Sequence, residues 1–366
     1  MPLKLDLKDI HLPTLLLSLF ISIAGIFFIY STTYNSNLSD LFIKQIIWLA
    51  LALFACVLIL NIDYHELVRL APIFYLILVI TLALLLLVGK LIGGAKSWFF
   101  FEHVAIQPSE FGKIIIILYI AKYIAELDRP YLKFKDIIKP AVILALPVAL
   151  IAMQPDLGTA LTYIPIYIGI ILIARLRFRV LIVLLLLLAI IMAVSWLYVL
   201  KPYQKERITT FMEPENYKKG AGYQIYQSKI AIGSGGFWGK GYLKGTQSQL
   251  KFVPEQHSDY IFSVLAEETG LFGVAIAMTV YLLLFISFIN TAMLARDRVG
   301  LFIATGFVFL FGFHFIINTG MVVGLIPTTG IPLPLMSYGG SSLLTFYIGI
   351  GIMMSIRSRR FVYMKD

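Results

Sequence analysis

Apolar residues fall in long blocks along this chain, and the polar residues gather between the blocks. Runs such as 14–30, 70–88 and 180–199 are almost free of charge. As helices they are long enough to cross a hydrocarbon layer of about 30 Å. The pattern predicts ten spans, at 12–34, 41–61, 70–92, 107–126, 137–153, 158–175, 178–200, 259–290, 300–324 and 337–356. Pro155 separates the fifth from the sixth, two spans that must both cross for the later topology to hold. One long polar stretch, 201–258, lies between the seventh and eighth spans. Aromatics recur through it (Tyr203, Phe211, Tyr217, Tyr223, Tyr226, Phe237, Trp238, Tyr242, Phe252), and GSGGFWGKG (233–241) supplies turns. Disordered segments are poor in aromatics, so this loop is expected to fold as a cap with short amphipathic helices. The expected fold class is an all-α polytopic membrane protein, one domain over 1–366, with 201–258 as a loop within it.

Composition agrees with this class. Hydrophobic residues make up 60% of the 366 and charged ones 14%, against about half and a quarter in soluble domains. The net charge of +10 would suggest nucleic acid in a soluble protein, but its distribution gives a simpler reason. With the N-terminus inside, Lys4, Lys8, Arg69, Lys122, Arg129, Lys133, Lys135, Lys139, Arg175, Arg177, Arg179, Arg296, Arg298, Arg357, Arg359, Arg360 and Lys365 all fall on one side. The short loops opposite and their edges hold Lys44, Lys90, Lys96 and Lys113. The positive-inside rule then predicts an N-in/C-in protein whose large loop is extracytoplasmic, with no nucleic-acid partner. Asp6 and Asp9, and the lack of a small-residue cleavage pattern, mark 1–31 as a first membrane helix and not a secretory signal. A single cysteine, Cys56, excludes a disulfide framework or a cysteine metal site.

Ionisable residues in or beside membrane spans are costly and suggest function. QPSEFGK (107–113) places Glu110 and Lys113 at i,i+3, on one helix face. A plain ion pair at a helix start is the structural alternative. QPDLGT (154–159) places Asp156 in a tight turn, where capping the next helix competes with a ligand role. FVPEQHSDYIFSVLAEETG (252–270) carries Asp259, Glu267 and Glu268. On a continuous helix Glu267 lies two turns below Asp259, about 12 Å along the axis and roughly on the same side; Glu268 points elsewhere and receives no role. Arg207, Lys218 and Lys219 add basic groups in the long loop. All but the deeper glutamates map to one membrane face, as a site for a charged, amphiphilic ligand would. GSGGFWGKG lacks the Walker spacing, and His103, His257 and His314 are too dispersed to suggest a metal.

Several separated stretches carry a resemblance to a known family: GGAKSW (93–98), QPSEFGK (107–113), QPDLGTA (154–160), GYQIYQSKIAIGSGGFWGKG (222–241), FVPEQHSDYIFSVLAEETG and PTTGIPLPLMSYGGSS (327–342). Together they resemble the SEDS proteins, whose members include RodA, FtsW and SpoVE, and the short termini look most like RodA. One departure is Ser97, where the family often has a second basic residue, so any charge role of that loop rests on Lys96.

The resemblance implies a peptidoglycan glycosyltransferase that polymerises lipid II at the outer face of the bacterial cytoplasmic membrane. It also implies a class B penicillin-binding protein as transpeptidase partner and a place in the elongation machinery and cell-shape maintenance. By resemblance Asp259 is the catalytic residue, Glu267 supports it, and Glu110 and Lys113 line a cavity near it. Asp156, Lys96, Arg207 and Ser337 are further substrate-binding candidates. The cofactor is open; a divalent cation such as Mg or Mn is the candidate, with no metal ligands assigned. From composition alone a transporter, here a lipid II flippase, would fit ten spans with intramembrane acids. A non-catalytic scaffold for the transpeptidase is a third class, and it leaves Glu110, Lys113 and Asp259 without a purpose.

Overall fold

The computed structural model describes residues 11–34, 40–92, 95–101, 104–127, 131–174 and 221–361, with residues 182, 205, 209 and 211. Helices α1 (Leu12–Thr33), α2 (Asp40–Asn61) and α3 (Tyr64–Val88) open the fold. Strands β1 (Lys90–Ile92), β2 (Ala95–Phe101) and β3 (Val104–Ile106) follow, then α4 (Pro108–Glu126), α5 (Phe134–Met153) and α6 (Leu157–Ile173). After the predicted seventh span, of which only residue 182 is among the described residues, come α7 (Ala221–Ser234) and the short α8 (Thr246–Gln249). The last helices are α9 (Ile261–Met293), α10 (Arg298–Val322) and α11 (Gly340–Ser358). Among the described residues seven helices, α1, α2, α3, α5, α9, α10 and α11, are long and apolar enough to cross a membrane. Two more predicted spans appear as α4 and α6.

Three departures from the sequence reading have local causes. Helix α3 begins six residues early because Asp63 caps it, its side chain accepting from the His65 N–H. It also ends early. Gly89 turns out of the helix with extended backbone (φ −61°, ψ 134°), and the apolar residues beyond it form a three-stranded antiparallel sheet, β1-β2-β3. The run Trp98–Phe101 suits a strand better than a membrane helix end, so the fold is helical with one small sheet and not purely all-α. Third, α9 is broken: Gly270 has φ 65° and ψ −164°, so Ile261–Thr269 is a short helix of its own, set apart from the long span below.

Helices α10 and α11 are the most buried of the spans, whereas α1, α2, α3 and α9 expose large apolar side chains such as Phe27, Phe54, Leu76 and Leu282. That inversion suits a hydrocarbon solvent, where packing and polar contacts rather than apolar burial join helices. Tyr347 meets Ser22 (3.0 Å), Thr14 meets Ser287 (2.6 Å), and the Tyr167 hydroxyl donates to the Ile137 carbonyl (3.0 Å). Gly25 lets α1 press on the backbone of Met336, which no side chain would permit. Phe288, Phe307, Phe311 and Phe346 interlock edge to face between α9, α10 and α11.

Of the irregular segment 323–339 between α10 and α11, residues 331–337 are largely buried in this bundle. Non-helical backbone at that depth must find partners within the protein, and it does. Ile331 and Pro332 are held from α10, the Pro334 carbonyl by the Tyr281 hydroxyl (2.6 Å), and the Ser337 carbonyl by Gln45 (3.2 Å).

Candidate active site

Asp259 sits in the turn 254–260, immediately before the short helix Ile261–Thr269, and is half-buried. Three consecutive carbonyls fix this turn. That of His257 accepts from the Tyr338 N–H (2.9 Å), that of Ser258 from the Ser337 hydroxyl (2.5 Å), and that of Asp259 from Asn318 Nδ2 (2.9 Å). The carboxyl faces Gly330, whose φ is 72°; a Cβ there would stand 3.5 Å from Asp259 Oδ2. A carboxylate is thereby held on a rigid arm beside bare backbone. Tyr260, not Asp259, occupies the N-cap of α9 and makes no side-chain cap bond. Capping therefore does not account for the acid at 259.

Glu110 and Lys113 lie on one face of α4 and pair at 2.6 Å, exposed by 4% and 1%. Lys113 Nζ also reaches His314 Nε2 on α10 at 3.2 Å, and His314 Nδ1 reaches the Pro332 carbonyl at 3.3 Å. Glu110 Oε2 is buried without a hydrogen bond among the described residues. An unsatisfied buried carboxylate oxygen costs about 1–3 kcal/mol or more, so an ion pair serving stability alone would be a poor design.

Asp156 caps α6, accepting from the Thr159 N–H (3.1 Å), and also receives Gln107 Nε2 (2.8 Å). The Gln107 N–H donates to Ser341 Oγ on α11 (3.1 Å), and Gly158 abuts the Thr329 carbonyl. Asp156 thus joins α4, α6 and α11 around the segment that faces Asp259. Lys96 is exposed on β2, and its N–H donates to the Gln154 carbonyl (3.2 Å), tying the sheet to the α5–α6 turn. The Ser337 hydroxyl is occupied twice, donating to Ser258 and accepting from the Leu333 N–H (2.9 Å), which makes it a fastener of the Asp259 arm. Arg207 lies outside the described residues.

Glu267 does not sit two turns down a continuous membrane helix. Because Gly270 breaks α9, Glu267 belongs to the upper short helix and is fully buried under the glycine-rich loop. Its Oε1 accepts from Lys240 Nζ (2.7 Å) and the Gln247 N–H (2.8 Å), its Oε2 from the Ser248 N–H (3.0 Å). It caps α8 from outside. The loop in turn clasps the break: Lys240 and Gly241 N–H groups donate to the Glu267 and Glu268 carbonyls (3.0 Å each), and the Leu271 N–H donates to Gly236 (2.9 Å). Glu268, given no role from sequence, is buried and accepts from the Ser31 hydroxyl of α1.

His257 flanks the site. Burial pushes its imidazole below the ordinary value, and Glu255, 3.9 Å away, opposes that shift only in part. Sequence reasoning set His314 aside and overlooked Asn318 and Gln107. The signal was available: two polar residues at i,i+4 within an apolar span share a helix face and need partners there. Among the described residues no three His, Cys, Asp or Glu side chains converge as a cation site.

The profile of the family described as "Cell cycle protein" (FtsW, RodA, SpoVE) matches residues 10–361. The chain is 40% identical over 291 residues to the peptidoglycan glycosyltransferase MrdB of Escherichia coli strain K12, covering 79% of this chain and 78% of that one. It is 35% identical to the peptidoglycan glycosyltransferase RodA of Treponema pallidum, over 96% and 98% of the two chains. Among solved structures, a chain of a peptidoglycan synthase complex described as coordinating polymerization and crosslinking superposes with TM-score 0.84 at 29% identity, covering 100% of both chains. The crystal structure of Thermus thermophilus rod shape determining protein RodA superposes with TM-score 0.72 at 28% identity, over 98% of each chain.

Proposed function

This chain belongs to the FtsW, RodA and SpoVE family, and we propose from that membership that it polymerises lipid II with Asp259 as the base. It is a multi-pass membrane protein and a peptidoglycan glycosyltransferase, most like RodA. We place it in the bacterial cytoplasmic membrane, N-in/C-in, with the Asp259 end outward, working in the elongation machinery with a class B penicillin-binding protein as the crosslinking partner.

The observation that carries the assignment is the Asp259 arm: a half-buried carboxylate whose own and two preceding carbonyls are fixed from α10 and the 337–338 segment. In the reaction the 4-hydroxyl oxygen of one sugar bonds to the anomeric carbon of another. The bond from that carbon to the polyprenyl diphosphate breaks, and the hydroxyl proton passes to Asp259. A rigid arm favours this because a base must stand within hydrogen-bond reach of the proton at the moment of attack. Positive charge helps the diphosphate depart. Lys96 offers it from the exposed strand, and the buried Lys113 contributes through the interior, where charge is weakly screened. Glu110 orients Lys113, and Asp156 with Gln107 holds the facing wall. A divalent cation would add Lewis-acid charge at the diphosphate, but the described residues offer no carboxylate cluster to hold one.

Asp259→Asn keeps the shape and removes the base. The variant should insert and fold as the parent does, yet form no glycan from purified lipid II. Polymer at the parent's rate would remove Asp259 from the mechanism. Translocation of labelled lipid II without polymer, by the parent protein itself, would favour a flippase.

A further inference from the structure

We infer that His314 and Asn318 are positioning residues, a ledge on α10 that fixes the Lys113 ammonium and the Asp259 arm relative to one another. The inference rests on the assignment of Asp259 and Lys113 to the transferase site.

The partners of His314 determine its state. A carbonyl only accepts, so the nitrogen facing Pro332, Nδ1, carries the hydrogen. An ammonium only donates, so the nitrogen facing Lys113, Nε2, presents its lone pair. The imidazole is therefore a neutral Nδ1–H tautomer that receives Lys113 on one edge and grips backbone with the other. Phe346 packs edge-on against the ring at 5.1 Å and 90°, which keeps its plane from turning.

One turn along α10, Asn318 repeats the arrangement. Its Nδ2 donates to the Ile331 carbonyl and to the Asp259 carbonyl, both at 2.9 Å. His314 and Asn318 therefore hold adjacent carbonyls, 332 and 331, of the same irregular strand, and each passes the contact on. His314 reaches the cation on α4, and Asn318 reaches the arm that bears the carboxylate. The rise between them is about 6 Å along one rigid helix, so the separation of cation and arm is set by a helix and not by a loop. Gly330, next in line, presents no side chain to the Asp259 carboxyl.

Packing alone does not explain the choice of residues. Both are fully buried, and Asn318 Oδ1 remains without a hydrogen bond among the described residues. An apolar α10 face would avoid that penalty, though it would also take the hydrogen-bond donors from the Ile331, Pro332 and Asp259 carbonyls. What it would lose is the link between Lys113 and Asp259.

The test measures lipid II polymerisation and thermal unfolding of the full-length protein in detergent, for the parent, His314→Leu, His314→Gln and Asn318→Leu. A glutamine amide can donate to Pro332 and accept from Lys113 at once; leucine can do neither. The expected result is a kcat lowered about tenfold or more in His314→Leu with KM unchanged, and recovery to within about threefold in His314→Gln. Asn318→Leu should show the same kcat loss at unchanged KM. Parent-like kcat in His314→Leu, or equal losses in the leucine and glutamine variants, would overturn the inference. So would a change confined to KM. If His314→Leu does not fold, Asn318→Leu decides: a tenfold kcat loss supports the ledge and an unchanged kcat overturns it. A parent protein that makes no polymer would instead count against the transferase assignment itself.

Discussion

Replacing Glu267 by alanine should loosen the glycine-rich clasp near Asp259. The carboxylate serves Lys240 and the N–H groups of Gln247 and Ser248 from a fully buried position. A hydrogen bond to a charged group is worth about 1.5–3 kcal/mol, and an amide left buried without one costs its desolvation. Deleting one partner of a buried ion pair costs about 3–5 kcal/mol. These figures overlap, because one group makes all the contacts and Lys240 keeps 23% exposure and can turn to water. The working expectation is therefore about 3–5 kcal/mol for the opening of this unit, not the sum of its contacts.

Hydrogen exchange reads local opening directly. At about 1.4 kcal/mol per factor of ten, amides across 240–249 in Glu267→Ala should exchange roughly two to four orders of magnitude faster than in the parent. Amides of α10 and α11 should change little, since Glu267 makes no contact there among its hydrogen bonds. Glycan formation should fall as well, because the clasp braces the short helix that follows Asp259. Unchanged protection over 240–249 would refute the reading of Glu267 as an external cap. Equal loss of protection throughout the protein would refute its locality.

Two further outcomes are expected from local geometry and charge. Gly270→Ala places a side chain at φ 65°, against the Phe237 carbonyl and the Gly239 amide; it should destabilise the fold by about 1–3 kcal/mol or more, and a melting temperature equal to the parent's would show that the break at 270 tolerates any residue. Burial holds the His257 imidazole below its ordinary value of 6.5, so the unfolded chain binds the proton first. The stabilisation from His257 is full above about pH 6.5 and is lost as pH falls from there toward the lower folded-state value. Thermal midpoints should drop over that window and drop less in His257→Gln; parallel slopes in the two proteins would exclude His257 as the source.

Much of the helical frame was legible because the membrane reduces the problem to long apolar blocks, and α1, α2, α10 and α11 begin and end within a few residues of those blocks. The errors fell where local chemistry overrides hydropathy. Asp63 starts α3 before its apolar run begins, and the Trp98–Phe101 aromatics form a strand although they are as apolar as a span. Gly270 left no mark in hydropathy, since glycine is common in membrane helices, yet its positive φ moved Glu267 from a membrane span to a capping position. At the site, the acids were legible as residues but not as roles. Asp156 and Glu110 each have the local structural duty that the sequence set beside a ligand role, an i,i+3 cap and an i,i+3 ion pair. His314 was set aside and Asn318 overlooked because their partners, Lys113, Pro332, Ile331 and Asp259, come from three other segments of the chain.

The three acids of 259–268 illustrate why loss of activity alone is a poor guide to chemistry in this protein. Glu267 and Glu268 hold the short helix 261–269 from two sides, one through the glycine-rich loop and the other through Ser31 of α1. Asp259 projects from the turn that this helix anchors, with its own carbonyl tied to α10. A substitution at any of the three can therefore stop polymerisation, but by different routes. At 267 and 268 the loss should follow the opening of the clasp. At 259, with all three arm carbonyls still held by backbone and side chains that the substitution does not touch, the fold should persist while the chemistry fails. Stability measured beside kcat separates a carboxylate that takes a proton from carboxylates that hold the platform beneath it.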